Sequence, residues 1–480
     1  MVYGADRERP PTFLDGDRSP SMAGLKRRGG AGGCSKRPAG ERPGPTPKPR
    51  LSIAVDAFRR PRPGGCQQEA ARDDPRCLFW REEEGMQDQA VGTRDRSVFG
   101  GEEGVLLTGA TGFVGMELLA RFLERTRRTV YALVRAGDER HARERLRATV
   151  ASLVGDPCAY EDRIVAVPGD VTHPALGLGS LDWLADEVTD IIHGAASVSF
   201  ELGLPESRSI NVEGTRRMLE LAALGARRGW LRSFSYISTA YVAGEHAGSF
   251  DEGDFDVGQT FRNAYECSKF EAERLVRERL GELPISIFRP SIIVGDRRSG
   301  WTQTFNVLYG PLRAFARGAY AAVPARRTAP VDVVSVDYVA DAIFALAHRR
   351  PGDGRTYHLT ASDDAATVGE LIDLAAERFE RRPPVTVPPS LYRRLVHPVT
   401  VRTGAARRRR TLRRSEVYFP YFEIDTWFED RATRSTLAQQ GIRPAPLADY
   451  FNRLVDFALR ADWGRRPISR HTARKQARAH

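Results

Sequence analysis

The sequence predicts an α/β fold, a doubly wound parallel sheet followed by a smaller, mostly helical C-terminal region. From residue 104 onward, short apolar runs alternate with amphipathic helical stretches, which is the pattern of parallel strands joined by crossover helices. The first apolar run ends in a turn with three glycines at intervals of three residues. Further along, Tyr265 and Lys269 lie one turn apart on one face of a predicted helix.

The pattern predicts six sheet strands, at residues 105–108, 129–134, 164–168, 190–193, 231–238 and 285–289. It predicts helices between them at residues 114–125, 139–153, 206–227 and 264–280. This alternation favours a Rossmann-type sheet, in which ligands bind at the carboxyl ends of the strands. The later part of the chain is less regular, with predicted helices at 337–348, 367–379 and 447–461 and a strand at 357–360.

Four regions follow from the change in composition along the chain. Residues 1–100 are basic and rich in Pro and Gly, so we expect them to be disordered. Residues 101–362 form the expected nucleotide-binding domain, and residues 363–464 form a C-terminal substrate or lid region. Residues 465–480 are a basic tail. Met86 is a candidate translation start, so the sequence leaves open whether residues 1–85 belong to the native protein.

Composition narrows the class of protein. No run approaches the roughly 18 to 20 apolar residues that a membrane-spanning helix needs, and no apolar signal-peptide core is visible at the N-terminus. The five cysteines have no metal-type spacing, which predicts free thiols in a reducing cytoplasm and no metal site.

Most of the net charge of +11 lies in residues 401–480. Because the arginine run at 407–414 has no interleaved aromatic residues, we expect no specific nucleic-acid binding. The run suits the phosphates of coenzyme A, the acidic face of a carrier protein or peripheral contact with a membrane, and a solvated charged surface is the alternative.

The glycine turn is the first candidate site. The segment from Gly109 to Gly115 carries backbone N–H groups to the start of a helix, where they and the positive helix end suit a pyrophosphate. Its candidate cofactor-binding residues are Gly109, Thr111, Gly112, Phe113, Val114 and Gly115. A tight strand-to-helix connection without a ligand is the alternative.

The pair formed by Tyr265 and Lys269 is the second candidate site. A lysine one turn from a phenol lowers the pKa of that phenol and makes it a proton donor near neutral pH. Two solvated surface residues are the alternative. Arg135 follows the second strand at a position where an acidic residue selects NAD. A guanidinium suits a ribose 2′-phosphate instead, so the sequence favours NADPH, with a solvated arginine as the alternative.

The glycine spacing, the Tyr–Lys pair and the chain length resemble the extended short-chain dehydrogenase/reductase superfamily over about residues 103–362. The resemblance implies that Thr239 hydrogen-bonds the substrate oxygen, with Ser238 as the nearest competitor, and completes a triad with Tyr265 and Lys269. Lys269 is also expected to hold the nicotinamide ribose. The remaining implied residues are Asn211 as a support for Lys269, Asp170 and Val171 beside the adenine, Ala195 and Ala196 at the close approach to the cofactor, and Pro290 beside the nicotinamide.

Residues 133–136, 192–200 and 238–242 look like the corresponding segments of fatty acyl-CoA reductases and thioester-reductase domains. That resemblance implies NADPH-dependent reduction of an acyl-CoA or acyl-carrier-protein thioester to an aldehyde or alcohol. The alternatives are a sugar-nucleotide epimerase or dehydratase, a hydroxysteroid-type dehydrogenase, and a non-catalytic NADP-sensing regulator. The aromatic segment 418–427 suits either an acyl-chain tunnel or an apolar core. Acyl-chain length, the choice of carrier, the final product and the oligomeric state stay open.

Overall fold

The computed structural model describes residues 104–392, 394, 420–421 and 423–479. Its strands, numbered in chain order, are β1 (Gly104–Thr108), β2 (Val130–Val134), β3 (Ile164–Pro168), β4 (Val188–His193), β5 (Ser233–Ile237), β6 (Gly248–Phe250), β7 (Ile285–Pro290), β8 (Ile292–Val294), β9 (Ala322–Pro324), β10 (Pro330–Val331), β11 (Val333–Ser335), β12 (Thr356–Leu359), β13 (Ala366–Thr367), β14 (Val385–Val387) and β15 (Thr426–Phe428).

The α-helices are α1 (Phe113–Arg125), α2 (Glu139–Val154), α3 (Asp182–Glu187), α4 (Leu204–Arg227), α5 (Ala264–Arg277), α6 (Tyr309–Ala316), α7 (Val336–Arg349), α8 (Val368–Arg378), α9 (Pro389–Leu391), α10 (Arg431–Ala438), α11 (Phe451–Arg460) and α12 (Arg470–Arg478).

A seven-stranded sheet in the order β12-β7-β5-β4-β1-β2-β3 forms the centre of the fold, and all its pairings are parallel. The strands β1, β2, β4 and β7 are fully buried and rich in apolar residues, as expected for a parallel sheet covered on both faces. The change of strand order between β1 and β4 creates the crevice in which such sheets bind ligands. The predicted doubly wound Rossmann-type fold is confirmed.

Two apolar clusters cover the two faces of the sheet. Helices α1, α2 and α7 contribute to one cluster, and α3, α4 and α5 contribute to the other. A third cluster joins α6, α8 and α11 into a smaller C-terminal core. A fourth, largely aromatic cluster joins the turn after β5 to residues of the C-terminal region, where β15 pairs in parallel with β6.

Three features differ from the predicted elements. The strand predicted at 357–360 is β12, which extends the central sheet beside β7 and so adds a seventh strand to the six predicted. The predicted final helix at 447–461 is interrupted at Tyr450 between a 3-10 turn and α11. The predicted basic tail contains α12, whose Arg470 side chain is buried against α1. Local periodicity carries no information about the pairing of β12 with β7 or the contact of Arg470 with α1.

Candidate active site

The glycine turn packs three parts of the fold tightly together. Gly109 has a φ of +76°, and a Cβ atom there would lie 2.8 Å from the backbone of Gly194 in the loop after β4. A Cβ atom on Gly115 would lie 2.0 Å from the carbonyl oxygen of Gly109. Only glycine fits both positions, so the end of β1, the start of α1 and the β4 loop are held at the distance of backbone contact.

The start of α1 fits the pyrophosphate of a dinucleotide. Its N-cap, Gly112, is exposed and has no capping side chain, and the first turn of α1 contains no acidic residue. The free N–H groups at this helix end and the positive end of its dipole therefore form a surface that suits an anion. Gln303 donates a hydrogen bond of 3.1 Å to the carbonyl of Thr111 and holds the turn from outside. Phe113 and Val114 are the first two residues of α1, and both are partly buried.

The ends of β2 and β3 lie on the same side of the sheet. Arg135 is exposed directly after β2, and its carbonyl accepts a hydrogen bond from the Arg145 guanidinium. After β3, the Asp170 carboxylate accepts hydrogen bonds from the backbone N–H and the hydroxyl of Thr172, at 2.9 and 2.8 Å. Val171 is 7% exposed and packs against Gly214 of α4. The structure thus places Arg135 at the surface, and it places the Asp170 carboxylate in the turn after β3, where Thr172 is its partner.

A chain of hydrogen bonds fixes the loop after β4, and the sequence pattern does not predict it. The Thr108 hydroxyl accepts the N–H groups of Gly194 and Ala195 at 3.2 and 3.1 Å, and lies 2.8 Å from His193 Nδ1. Because both lone pairs of that hydroxyl are used, Thr108 donates its hydrogen to Nδ1. His193 Nε2 then donates to Thr215 at 3.2 Å. Burial, together with the charge of Lys269, lowers the pKa of His193 to about 3, so the ring is neutral.

Thr239 and Tyr265 meet at the carboxyl end of β5. The Thr239 hydroxyl caps the following turn by accepting the Tyr241 N–H at 3.2 Å and donates to the Pro290 carbonyl at 3.3 Å. Burial raises the pKa of Tyr265 to about 12, although a hydrogen bond with Thr239 opposes the shift. The phenol is therefore protonated at neutral pH and able to donate a hydrogen bond. The Asn263 side chain accepts the Glu266 N–H and starts α5 at this point.

Lys269 lies behind this pair with its ammonium directed to β5. Its Nζ donates to the Tyr236 hydroxyl and to the Ile237 carbonyl, each at 2.8 Å. Burial lowers the pKa of Lys269 to about 7, against the opposing effect of Glu273. These contacts explain why the pKa of Tyr265 is raised and not lowered as the sequence predicts: the lysine charge is bonded to Tyr236, and desolvation of the phenol dominates.

Asn211 joins two loops of the site. Its side chain accepts the Ser197 N–H at 2.8 Å and donates to the Ser197 carbonyl at 3.2 Å and to Ser268 Oγ at 2.9 Å. Ser268 precedes Lys269 on α5, so Asn211 is connected to the lysine through its neighbour. The partly buried Ala195 and Ala196 lie in the loop that Asn211 holds.

Ser238, the competitor of Thr239, has a different partner. Its hydroxyl donates to a carboxylate oxygen of Glu273 at 2.5 Å, which leaves Thr239 as the hydroxyl beside Tyr265. Glu273 follows Lys269 by one helical turn, and this spacing is the signal by which the sequence could have indicated it.

Aromatic rings border the Tyr265 side of the site. The ring centroid of Phe200 lies 5.8 Å from that of Tyr265 and 5.3 Å from that of Tyr421, with which it stacks. The Tyr421 hydroxyl donates to Glu266 at 2.9 Å. Within the predicted aromatic segment, Tyr421 is buried and Trp427 is 46% exposed; residues 418, 419 and 422 and the arginine run at 407–414 lie outside the described residues.

The part of the chain that the structure describes contains neither a candidate metal site nor a candidate membrane-spanning helix. Its His, Cys, Asp and Glu residues form no group of three or more that could hold a metal ion. Its helices include none with both the length and the apolar character needed to cross a membrane.

Comparison with known proteins identifies the family. Residues 107–343 match the family model described as male sterility protein, an NAD-binding domain. A carboxylic acid reductase of Mycobacterium marinum is 32% identical over 304 residues, which cover 56% of this chain and 25% of the relative. Fatty acyl-CoA reductase 1 of Arabidopsis thaliana is 26% identical over 356 residues, which cover 59% of this chain and 72% of the relative. The chain is an extended short-chain dehydrogenase/reductase.

A solved structure of this superfamily supports the same conclusion. The terminal R domain from the myxalamid PKS-NRPS biosynthetic pathway superposes with a TM-score of 0.65 at 26% identity. The match covers 76% of this chain and 92% of the R domain. The short-chain dehydrogenase/reductase described here thus spans nearly a whole R domain, but only a quarter of the length of the carboxylic acid reductase.

Proposed function

We propose that this chain reduces an acyl thioester, bound to coenzyme A or to a carrier protein, with NADPH as the reductant. The observation that carries the proposal is the convergence of Thr239, a protonated Tyr265 and Lys269 at the carboxyl end of β5. The printed names of its relatives, a carboxylic acid reductase and a fatty acyl-CoA reductase, support the choice of a thioester.

The preference for NADPH is supported by the charge at the end of β2. Arg135 is exposed there, and the Arg145 side chain reaches its carbonyl. Two guanidinium groups beside the expected position of the adenosine ribose suit a 2′-phosphate, which binds arginine through paired hydrogen bonds. A carboxylate at this point would suit the hydroxyl of NAD instead.

When bound, NADPH supplies the hydride that the carbonyl carbon of the thioester accepts. Tyr265 then donates a hydrogen bond to the carbonyl oxygen as negative charge develops on it, and Thr239 donates a second one by turning its hydroxyl from the Pro290 carbonyl to the substrate. Such donors are the usual form of electrostatic stabilisation in these sites. Tyr265 suits this role because its phenol is neutral at pH 7 and can give its proton to the oxygen. Lys269 holds the ribose and lies near the phenol. The C–S bond of the resulting hemithioacetal then breaks, its hydroxyl proton passes to the departing thiolate, and an aldehyde and a free thiol result.

The test measures loss of NADPH absorbance with purified protein. The panel contains acyl-CoAs of increasing chain length, acyl-carrier proteins, nucleotide sugars and sterols. We expect oxidation with at least one thioester and none with Tyr265→Phe, which keeps the ring and removes the hydroxyl. Turnover with a sugar or sterol and with no thioester would overturn the proposal. NADPH binding without any turnover would instead indicate a sensor.

A further inference from the structure

Glu273 is a buried carboxylate that connects several elements around the site. It lies on α5 one turn after Lys269 and is fully buried. It accepts hydrogen bonds from Ser238 Oγ at 2.5 Å, from Arg289 Nη2 at 2.6 Å and from Arg277 Nε at 2.8 Å. One carboxylate thus joins the end of β5, strand β7 and helix α5.

The bond from Ser238 determines how the reactive groups are placed. Ser238 directly precedes Thr239, and Glu273 lies on the helix that carries Tyr265 and Lys269. The 2.5 Å bond between Ser238 and Glu273 therefore holds the chain segment of Thr239 against the helix of its two partners. A buried hydrogen bond to a charged group is both short and strong, so this connection limits how far the two segments can separate.

Glu273 also provides the negative charge near Lys269. Although burial disfavours its charge, Arg289 and Arg277 hold the pKa of Glu273 at about 2. Burial destabilises the ammonium form of Lys269, and the negative charge of Glu273 stabilises it.

The other elements around Lys269 and Glu273 present neutral groups or cations. From β5, the Tyr236 hydroxyl accepts from Lys269, and burial holds the pKa of that phenol well above its usual value. From β4, His193 is neutral. From β12, His358 lies 3.2 Å from Arg289, and burial lowers its pKa to about 3.

We propose that Glu273 is a positioning residue, which ties Thr239 to the helix of Tyr265 and Lys269 through Ser238 and favours the ammonium form of Lys269. The proposal rests on the proposed function, because Glu273 positions the triad to which that function assigns the chemistry.

The first experiment measures NADPH affinity by fluorescence from pH 5.5 to 9 and needs no substrate. If the Lys269 ammonium contributes to binding, wild-type affinity falls as the pH rises through about 7. Glu273→Gln keeps the shape of the side chain and removes its charge, so we expect the midpoint of this fall to move about one unit or more toward acid. Glu271→Gln is the matched control, because Glu271 lies on the same helix and pairs with Arg208 at the surface.

The second experiment uses Ser238→Ala, which leaves the ion pairs of Glu273 intact. We expect its kcat to fall about three- to tenfold, the effect of one lost hydrogen bond, with the NADPH affinity and its pH midpoint unchanged. Ser238→Thr, which restores a hydroxyl, should recover most of the loss. The matched control is Ser235→Ala on the same strand, whose buried hydroxyl has no hydrogen-bond partner among the described residues.

An unchanged midpoint in Glu273→Gln, or an unchanged kcat in Ser238→Ala, overturns the inference. If Glu273→Gln does not fold, because Arg289 loses its buried partner, Ser238→Ala decides. If wild-type protein turns over no thioester, the proposed function fails, while the pH dependence of NADPH binding still tests the role of Glu273.

Discussion

Arg470→Ala is expected to lower the free energy of unfolding by about 3 kcal/mol. The Arg470 side chain is 1% exposed. It donates to the Glu117 carboxylate at 2.7 Å, to Glu124 at 2.8 Å and to the Leu153 carbonyl at 3.1 Å. The substitution therefore removes the contacts that the Arg470 side chain makes with α1 and α2.

The magnitude follows from what the substitution leaves behind. Glu117 is fully buried, and removing one partner of a buried ion pair typically costs about 3 to 5 kcal/mol. Arg121 and Arg474 still contact the Glu117 carboxylate, which places the expected loss at the lower end of that range. Because a domain is stable by only about 5 to 15 kcal/mol, the loss is readily measured.

The assay is urea unfolding followed by circular dichroism. Arg478→Ala is the control, because Arg478 lies in the last turn of the same helix and is exposed; we expect its effect to stay within about 0.5 kcal/mol. Equal midpoints for the two variants would show that α12 does not stabilise the fold through Arg470.

Three further predictions concern the site. Gly109→Ala should abolish NADPH binding in a fluorescence titration while the circular dichroism spectrum is retained. The backbone of Gly109 is left-handed, and an added Cβ would lie 2.8 Å from the Gly194 backbone. Binding at wild-type affinity would show that the turn tolerates a side chain. Arg135→Ala should weaken NADPH binding about tenfold or more and leave NADH binding unchanged, the loss of a charge-assisted hydrogen bond; equal losses for both cofactors in calorimetry would exclude a 2′-phosphate contact. Thr239→Val should lower kcat about a hundredfold with little change in the Kd for NADPH, whereas an unchanged kcat in steady-state kinetics would remove Thr239 from the site.

The elements of the fold with strong local patterns were predictable from sequence. Strand β3 and helix α1 agree with the predicted ranges to within a residue. A buried parallel strand is a short continuous apolar run, and an amphipathic helix repeats its apolar residues every 3.6 residues. The partners of Arg470 were not predictable. It contacts Glu117 across 353 positions of sequence, and a basic helix has the same composition whether it is solvated or docked on buried carboxylates.

The candidate site shows the same division. The glycine turn and the spacing of Tyr265 and Lys269 are local, so the sequence indicates them directly. The direction of the Lys269 ammonium, toward Tyr236 and Ile237, depends on how α5 packs on β5. For this reason the sequence predicts a lowered pKa for Tyr265, whereas burial raises it.

Hydride transfer to the carbonyl carbon of a thioester is the reaction that we propose for this chain. The most direct test incubates the protein with an acyl-CoA and NADPH that carries deuterium at the transferred position, and analyses the products by mass spectrometry. We expect an aldehyde or alcohol with deuterium on its first carbon, released together with free thiol, and no such product from Tyr265→Phe. Deuterium that stays in the cofactor while the thioester is recovered intact, for every chain length and for carrier-bound substrates, would contradict it.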